Sequence, residues 1–150
     1  MQIAKIKDRV NADPIFTARW KAWISALRSG EYKQGQGKLK MADKFCCLGV
    51  VTDLAVKEGK GEWNGNRFYP NTGPFSNYGS GLLPCNIACL LGWSEAEVRQ
   101  DWVAIAVDQD VLLLHIAVDD AAQALDRLND SGYSFLQIAD LIEKELGWKS

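Results

Sequence analysis

The residues best suited to hold a ligand lie in a polar, glycine-containing loop early in the chain. This loop carries lysines and glutamines beside glycines: Tyr32, Lys33, Gln34, Gly35, Gln36, Gly37 and Lys38. The apolar residues that follow predict a helix over residues 46–57. Glycine lets backbone N–H groups approach a ligand closely, and a helix N-terminus favours an anion. We therefore expect phosphates to bind near Lys33, Lys38 and the helix start at Cys46.

A second region supplies aromatic rings, amides and a guanidinium. Nucleobases stack on aromatic rings, and phosphates bind lysine and arginine. Together the two regions predict a site for a nucleotide-derived ligand, with its base on one of the rings of Trp63, Phe68, Tyr69 and Tyr78. The predicted ligand-binding residues are Tyr32, Lys33, Gln34, Gln36, Lys38, Cys46, Asn66, Arg67, Phe68, Tyr69 and Tyr78. An alternative stays open, in which the lysines are solvated and the rings cover the core.

Catalysis is the weaker interpretation, because no known pairing of nucleophile and base is present. The one histidine, His115, lies in an apolar run, where histidine is more often a packed residue than a general base. Cys46 or Cys47 at the helix start is a candidate nucleophile, but apolar residues follow both. No cofactor is expected.

The cysteines raise the question of a metal site. Cys85 and Cys89 would share one helix face, with Cys46 and Cys47 elsewhere in the chain. The spacing matches none of the usual zinc frameworks, and the neighbouring residues are apolar. Buried, reduced thiols are therefore predicted, and no metal.

Nucleic acid is an unfavoured partner, because the net charge is −2 and a basic surplus is absent. The lysines at 33, 38, 40 and 44 form only a local basic cluster. Residues 125–146 resemble the first part of a helix-turn-helix, in which a turn at Gly132 precedes a helix with Ile138 and Ala139. A basic recognition helix does not follow, so a plain helical hairpin is predicted.

Length and composition predict a single compact α+β domain with about five helices and short antiparallel hairpins. A chain of 150 residues is of usual size for one domain. No apolar run approaches the ~20 residues of a membrane span. Residues 1–10 lack the apolar block of a secretory signal. A cytoplasmic location and no membrane partner are therefore expected.

The order of elements follows from periodicity and from capping residues. Helices are predicted over residues 16–28, 46–57, 85–91, 119–129 and 135–146. Asp13-Pro14 starts the first of them, in which Trp20 and Trp23 share the apolar face, and Ser134 caps the last. Ser94 and Glu97 form a capping-box pattern that predicts another helix. Asn64-Gly65 predicts a hairpin, and residues 103–107 and 111–118 are interpreted as two strands, the second of which could instead begin a helix. Residues 31–44 are predicted as a loose hairpin or extended loop, and residues 70–83 as a long irregular loop.

Two stretches of the sequence resemble a family of small, uncharacterised phage and prophage proteins. One runs from Trp20 and Trp23 through Tyr32-x-Gln34-x-x-Gly37-x-Leu39 to Phe45-Cys46-Cys47-Leu48-Gly49-Val50. The other runs from Leu128-Asn129-Asp130 through Gly132, Ser134 and Phe135 to Ile142-Glu143. The resemblance implies a phage accessory protein that acts in the cytoplasm of an infected bacterial host.

A protein of this kind is similar in size to the counter-defence sponges, which sequester nucleotide second messengers of bacterial immune systems, usually as homo-oligomers. This likeness implies an anti-defence protein that binds a cyclic-nucleotide or ADP-ribose type of signal without chemistry, as a homo-oligomer. Two alternatives remain: an inhibitor of a host protein acting through protein contacts, and a small enzyme that cleaves a nucleotide signal.

Overall fold

The fold is built on a long amphipathic helix near the N-terminus, α2, which spans Pro14–Arg28. The computed structural model describes residues 2–71, 83–98, 102–107 and 124–148. The Asp13 carboxylate caps α2 by accepting a 2.8 Å hydrogen bond from the Ile15 N–H, which has no partner within the helix. The helix predicted over residues 16–28 is confirmed, and it begins two residues earlier, at Pro14.

One face of α2 is buried and hydrogen-bonded to two later helices. The buried residues are Trp20, Trp23, Ile24 and Leu27. The Trp20 indole N–H donates to the Leu91 carbonyl at 2.7 Å, and the Trp23 indole N–H donates to the Cys47 carbonyl at 3.0 Å. These bonds satisfy the buried indoles and attach α2 to α3 (Cys47–Lys57) and to α4 (Cys85–Leu91).

The chain before α2 is also helical. A 3-10 turn covers Ile3–Ile6, and helix α1 covers Lys7–Ala12. Ile3, Ile6 and Val10 are fully buried. The sequence analysis does not predict these elements, because three apolar residues over so short a segment give little periodic signal.

Residues 33–45 form a small three-stranded sheet. Its strands are β1 (Lys33–Gln34), β2 (Lys40–Met41) and β3 (Lys44–Phe45), in the order β1-β3-β2. The β2–β3 pair is antiparallel and favours the hairpin over the extended loop, the two alternatives predicted for residues 31–44, whereas β1 pairs with β3 in parallel. The connection from β1 therefore crosses to β2 at the far edge of the sheet, β3 lies between the two strands, and the sheet leads directly into α3.

Strands β4 (Gly61–Asn64) and β5 (Arg67–Pro70) form the predicted hairpin after α3. Its two-residue loop is Gly65-Asn66, and Gly65 has a φ of 63°. Positive φ at the first loop position favours glycine there.

Besides α4, the described residues of the C-terminal half add one strand pair and two helices to the same core. Strand β6 (Leu83–Pro84) pairs with β7 (Trp102–Val103), and Ala106 bridges to Gln2 and to Ala124. Helix α5 spans Leu125–Asp130, and helix α6 spans Phe135–Glu145. Helix α6 begins with a capping box between Ser134 and Gln137, as the Ser134 cap predicted.

The predicted α+β class is confirmed: the described residues contain six α-helices and small, mainly antiparallel sheets. Ser94 and Glu97 make the predicted capping-box bonds. Residues 95–97 form a turn, and no helix follows within the described residues, which end here at Val98. The predictions for residues 72–82 and 108–123, which include Tyr78, His115 and the strand or helix at 111–118, lie outside the described residues.

Gly49 is required because the first turn of α3 packs directly on the backbone of Leu39. A Cβ on Gly49 would lie 1.7 Å from the Leu39 carbonyl oxygen, which also accepts a hydrogen bond from the Cys46 N–H. We predict that Gly49→Ala lowers the free energy of unfolding by at least about 2 kcal/mol, because backbone atoms must move apart. Urea unfolding followed by circular dichroism measures the change.

The direction in which Gly49→Ala changes the free energy of unfolding shows whether packing or helix propensity dominates at this position. In an exposed helix interior, Gly→Ala stabilises by about 1 kcal/mol. Ser25→Ala, on the exposed side of α2, is the control, and it should leave stability nearly unchanged. A Gly49→Ala variant as stable as the parent would contradict the close approach of α3 to Leu39.

Candidate functional site

The polar loop is held in place by one buried amide, that of Asn129 at the end of α5. Asn129 is 0% exposed. Its Oδ1 accepts hydrogen bonds from the Gln34 Nε2 at 2.8 Å and from the Cys47 N–H at 3.1 Å. Its Nδ2 donates to the Gly35 carbonyl at 2.8 Å and to the Asp130 carboxylate at 3.3 Å. An asparagine amide has two donor hydrogens and two acceptor lone pairs, so its capacity is fully used.

Gln34 continues this network to the start of α6. Its Nε2 also donates to the Tyr133 carbonyl at 2.8 Å, and its Oε1 accepts from the Phe135 N–H at 3.2 Å. A carbonyl can only accept and an N–H can only donate, so these partners fix the orientation of the Gln34 amide. The amide nitrogen and oxygen of Gln34 are therefore both used in hydrogen bonds that stabilise the fold, although the sequence predicts Gln34 as a ligand-binding residue.

The first N–H groups of α3 donate hydrogen bonds to side chains of the protein itself, and the helix start is buried. The Cys46 Sγ accepts the Gly49 N–H at 3.4 Å, and Asn129 takes the Cys47 N–H. Burial raises the pKa of the Cys46 thiol to about 11 and that of Cys47 well above its usual value. The expected phosphate site at this helix start is therefore absent in the described structure, and Cys46 is a capping residue.

Tyr32 and Trp63 both donate hydrogen bonds to one carboxylate, that of Asp53 in α3. The Tyr32 hydroxyl donates to Oδ2 at 2.7 Å, and the Trp63 indole N–H donates to Oδ1 at 2.9 Å. Lys57 donates to the Tyr32 hydroxyl oxygen at 3.1 Å. Burial is the main cause that raises the pKa of Tyr32. The polar loop and the aromatic region are therefore adjacent, as packed neighbours.

A row of rings continues this contact. Phe45 lies between Tyr32 and Trp63, with centroid distances of 5.1 Å and 6.2 Å. Phe68 packs on Trp63 at 6.0 Å and is fully buried. Lys40 lies over the rings of Phe45 and Trp63. Phe68 is thus a core residue and offers no surface to a base, which corrects its predicted role.

The remaining predicted residues are on the surface or outside the described chain. Lys33 forms an exposed ion pair with Asp43 at 2.9 Å, and this pair lowers the pKa of Asp43. Lys38 is half-buried. Asn66, Arg67 and Tyr69 belong to the β4–β5 hairpin, with Arg67 exposed and the other two half-buried.

A cavity of about 510 Å³ opens between the sheet and the α5–α6 turn. It is lined by Gln34, Gly35, Gln36, Met41, Lys44, Asn129, Gly132 and Tyr133. The Gln34 and Asn129 amides contribute part of its wall, and their bonds to the backbone make that part rigid. The Lys44 ammonium and the Tyr133 hydroxyl make no hydrogen bond or ion pair to the described residues. Both groups remain available to a ligand.

The sequence analysis identifies only part of this cavity. Gln34 and Gln36 are in the predicted set, and Lys44 is in the basic cluster but not in that set. Asn129, Gly132 and Tyr133 are missed, although they lie in the second stretch of the phage-family resemblance. Both stretches belong to the same resemblance, and an expectation that they contact each other in the fold would have identified these residues.

Two further cavities that described residues line do not join the two predicted regions. One of about 380 Å³ lies between α2, α3 and α4, and one of about 660 Å³ lies between α2, Trp148 and Glu143 of α6. Neither of these, nor the cavity beside Gln34, is lined by residues of the β4–β5 hairpin. Within the described residues, no group of three or more His, Cys, Asp or Glu side chains is placed to hold a metal. No described helix has the length and apolar character needed to cross a bilayer.

Thiol labelling tests the structural role of the cysteine pair. We predict that Cys46 and Cys47 resist iodoacetamide at about pH 8 in the folded protein, because burial and raised pKa values leave almost no thiolate. Cys85 and Cys89, which are half-buried, should react earlier, as peptide mass spectrometry would show. Labelling of all four in denaturant is the control. Rapid labelling of Cys46 in the folded protein would contradict its capping role and support a nucleophile.

Comparison with curated proteins and with solved structures finds no match for this chain. A family model matches residues 18–146, which include α3, the sheet, the Asn129 network and α2 from residue 18 onwards. This match covers well over half of the chain, and the chain therefore belongs to the family described as a domain of unknown function, DUF8296.

Proposed function

We propose that this chain is a phage-type accessory protein that binds and sequesters an anionic, nucleotide-derived small molecule without chemistry. The ligand occupies the cavity between the sheet and the α5–α6 turn. The observation that carries the proposal is the convergence of Gln36, Lys44 and Tyr133 on a cavity partly walled by a rigid amide pair. The resemblance to phage and prophage proteins supports the biological setting.

The size and charge of this cavity suit such a ligand. A volume of about 510 Å³ is within the range of about 300–1,000 Å³ found for small-molecule sites. Lys44 lines the cavity, and Lys33 and Lys38 belong to the strand and loop beside it. Asp43 forms an ion pair with Lys33 and interacts more weakly with Lys44, so Lys44 is the cation best placed to meet a phosphate.

The proposed roles differ from those that the sequence predicts. Tyr133, half-buried at the cavity, takes the stacking role in place of Phe68. Gln36 is exposed, and its Nε2 lies 3.5 Å from the Asn129 carbonyl oxygen, which leaves its amide oxygen for a base or ribose. Gln34 and Asn129 hold the wall and are not counted as ligand contacts.

Calorimetry against cyclic dinucleotides and cyclic ADP-ribose isomers tests this proposal. We predict binding of at least one compound, with an affinity that falls as salt is added. Lys44→Gln and Tyr133→Ala should each weaken binding by at least about tenfold, because each removes a charge-assisted bond or a stacking surface. Lys5→Gln, an exposed lysine in the N-terminal 3-10 turn, is the matched charge control.

Three outcomes decide against the proposal. Failure to bind any compound of the panel rejects the nucleotide ligand. Binding that neither cavity variant alters places the site elsewhere. Recovery of a cleaved ligand after heat release of the complex, detected by mass spectrometry, makes the protein an enzyme.

A further inference from the structure

Helix α2 carries an apolar stripe on its outer side. Ile15 is 62% exposed, and Ala18 and Ala22 are also exposed. The spacing i, i+3 and i+7 places these three residues on one face of the helix. Ile15 is thus a large apolar side chain that projects beside two small ones.

This stripe borders an apolar groove of about 380 Å³ between α2, α3 and α4. Ala18 and Ala22 form one side of the groove. The aliphatic residues of the other two helices complete it: Val51, Leu54, Ala55, Ile87, Leu90 and Leu91. An apolar projection and an apolar groove therefore lie next to each other on the same face.

Opposite charges stand at the edge of the groove. The Arg19 Nε is buried and has no hydrogen-bond partner among the described residues. It lies 3.9 Å from the Glu58 carboxylate, which is beyond hydrogen-bond length. The other end of the guanidinium donates to the Leu90 carbonyl at 3.2 Å. Arg19 and Glu58 thus form a long ion pair within the chain, and the exposed parts of the two side chains, 24% for Arg19 and 49% for Glu58, are accessible to opposite charges of a second copy.

We infer that this face is a two-fold interface between two copies of the chain. Antiparallel α2 helices cross at their alanines, Ile15 of each copy enters the groove of the other, and Glu58 of each copy approaches Arg19 of the other. In a two-fold dimer the same patch contacts itself, so projection and groove must both belong to it. This face carries both complementary parts twice over: Ile15 beside the groove, and Arg19 beside Glu58.

The other exposed apolar residues do not offer this combination. Leu136 is 57% exposed on α6, and no residue of α6 lines the groove between α2, α3 and α4. Met41 is 51% exposed and belongs to the cavity beside Gln34. Leu136 is therefore a matched control for Ile15, with similar exposure on a helix that takes no part in the groove.

Light scattering during size-exclusion chromatography, over about a hundredfold range of concentration, tests the inference. The parent chain is expected to dimerise, Ile15→Asp to be monomeric and Leu136→Asp to remain a dimer. Circular dichroism confirms that each variant is folded. A monomeric parent, a dimer that survives Ile15→Asp, or a dimer that Leu136→Asp also dissociates would overturn the interface.

A mixing experiment tests the charge pairing between copies. Arg19→Glu and Glu58→Arg each place like charges across the interface, so each variant alone should dimerise at least about tenfold more weakly than the parent. An equimolar mixture should form heterodimers, because each chain then meets an opposite charge in its partner. The contacts within each chain are the same alone and in the mixture. A mixture that associates no better than the separate variants would overturn the Arg19–Glu58 arrangement. This inference does not depend on the proposed ligand.

Discussion

The rest of the structure depends on one buried amide, the side chain of Asn129. It connects β1, the first residue of α3 and the end of α5 through four hydrogen bonds, and it is closed off from water. Removal of any one partner would leave a buried donor or acceptor unsatisfied, which costs about 1–3 kcal/mol. The polar loop is therefore a rigid part of the core on its inner side and a surface on its outer side.

The motif from Tyr32 to Val50 is explained mainly by folding. Gly49 gives α3 its approach to Leu39, Cys46 caps the same helix, and Gln34 completes the Asn129 network. Residues of this kind identify a fold whatever it binds. Any ligand must then meet the side chains that the fold does not use, and Lys44 and Tyr133 are the clearest examples. The proposed function rests on those residues and not on the motif itself.

Elements with a local signal could be predicted from the sequence, and contacts between distant residues could not. Asp13-Pro14 and the tryptophan spacing predict α2, Asn64-Gly65 predicts the hairpin, and Ser134 predicts α6, because each signal lies within the element it specifies. Gln34 and Asn129 are 95 residues apart, and nothing local shows that their amides meet. The burial of Phe68 likewise depends on which face of the β4–β5 hairpin, the one that carries Trp63 and Phe68 or the opposite one, packs towards Phe45, and periodicity alone does not determine this.

The most direct test of this account is a double-mutant cycle on Gln34 and Asn129, measured by urea unfolding of Gln34→Ala, Asn129→Ala and the double variant. If the two amides form one network, each single change lowers the free energy of unfolding by about 1–3 kcal/mol. The double change then costs less than the sum of the two by at least about 1 kcal/mol. Single effects that add within about 0.5 kcal/mol would show that the residues act independently, and would contradict the central role of Asn129.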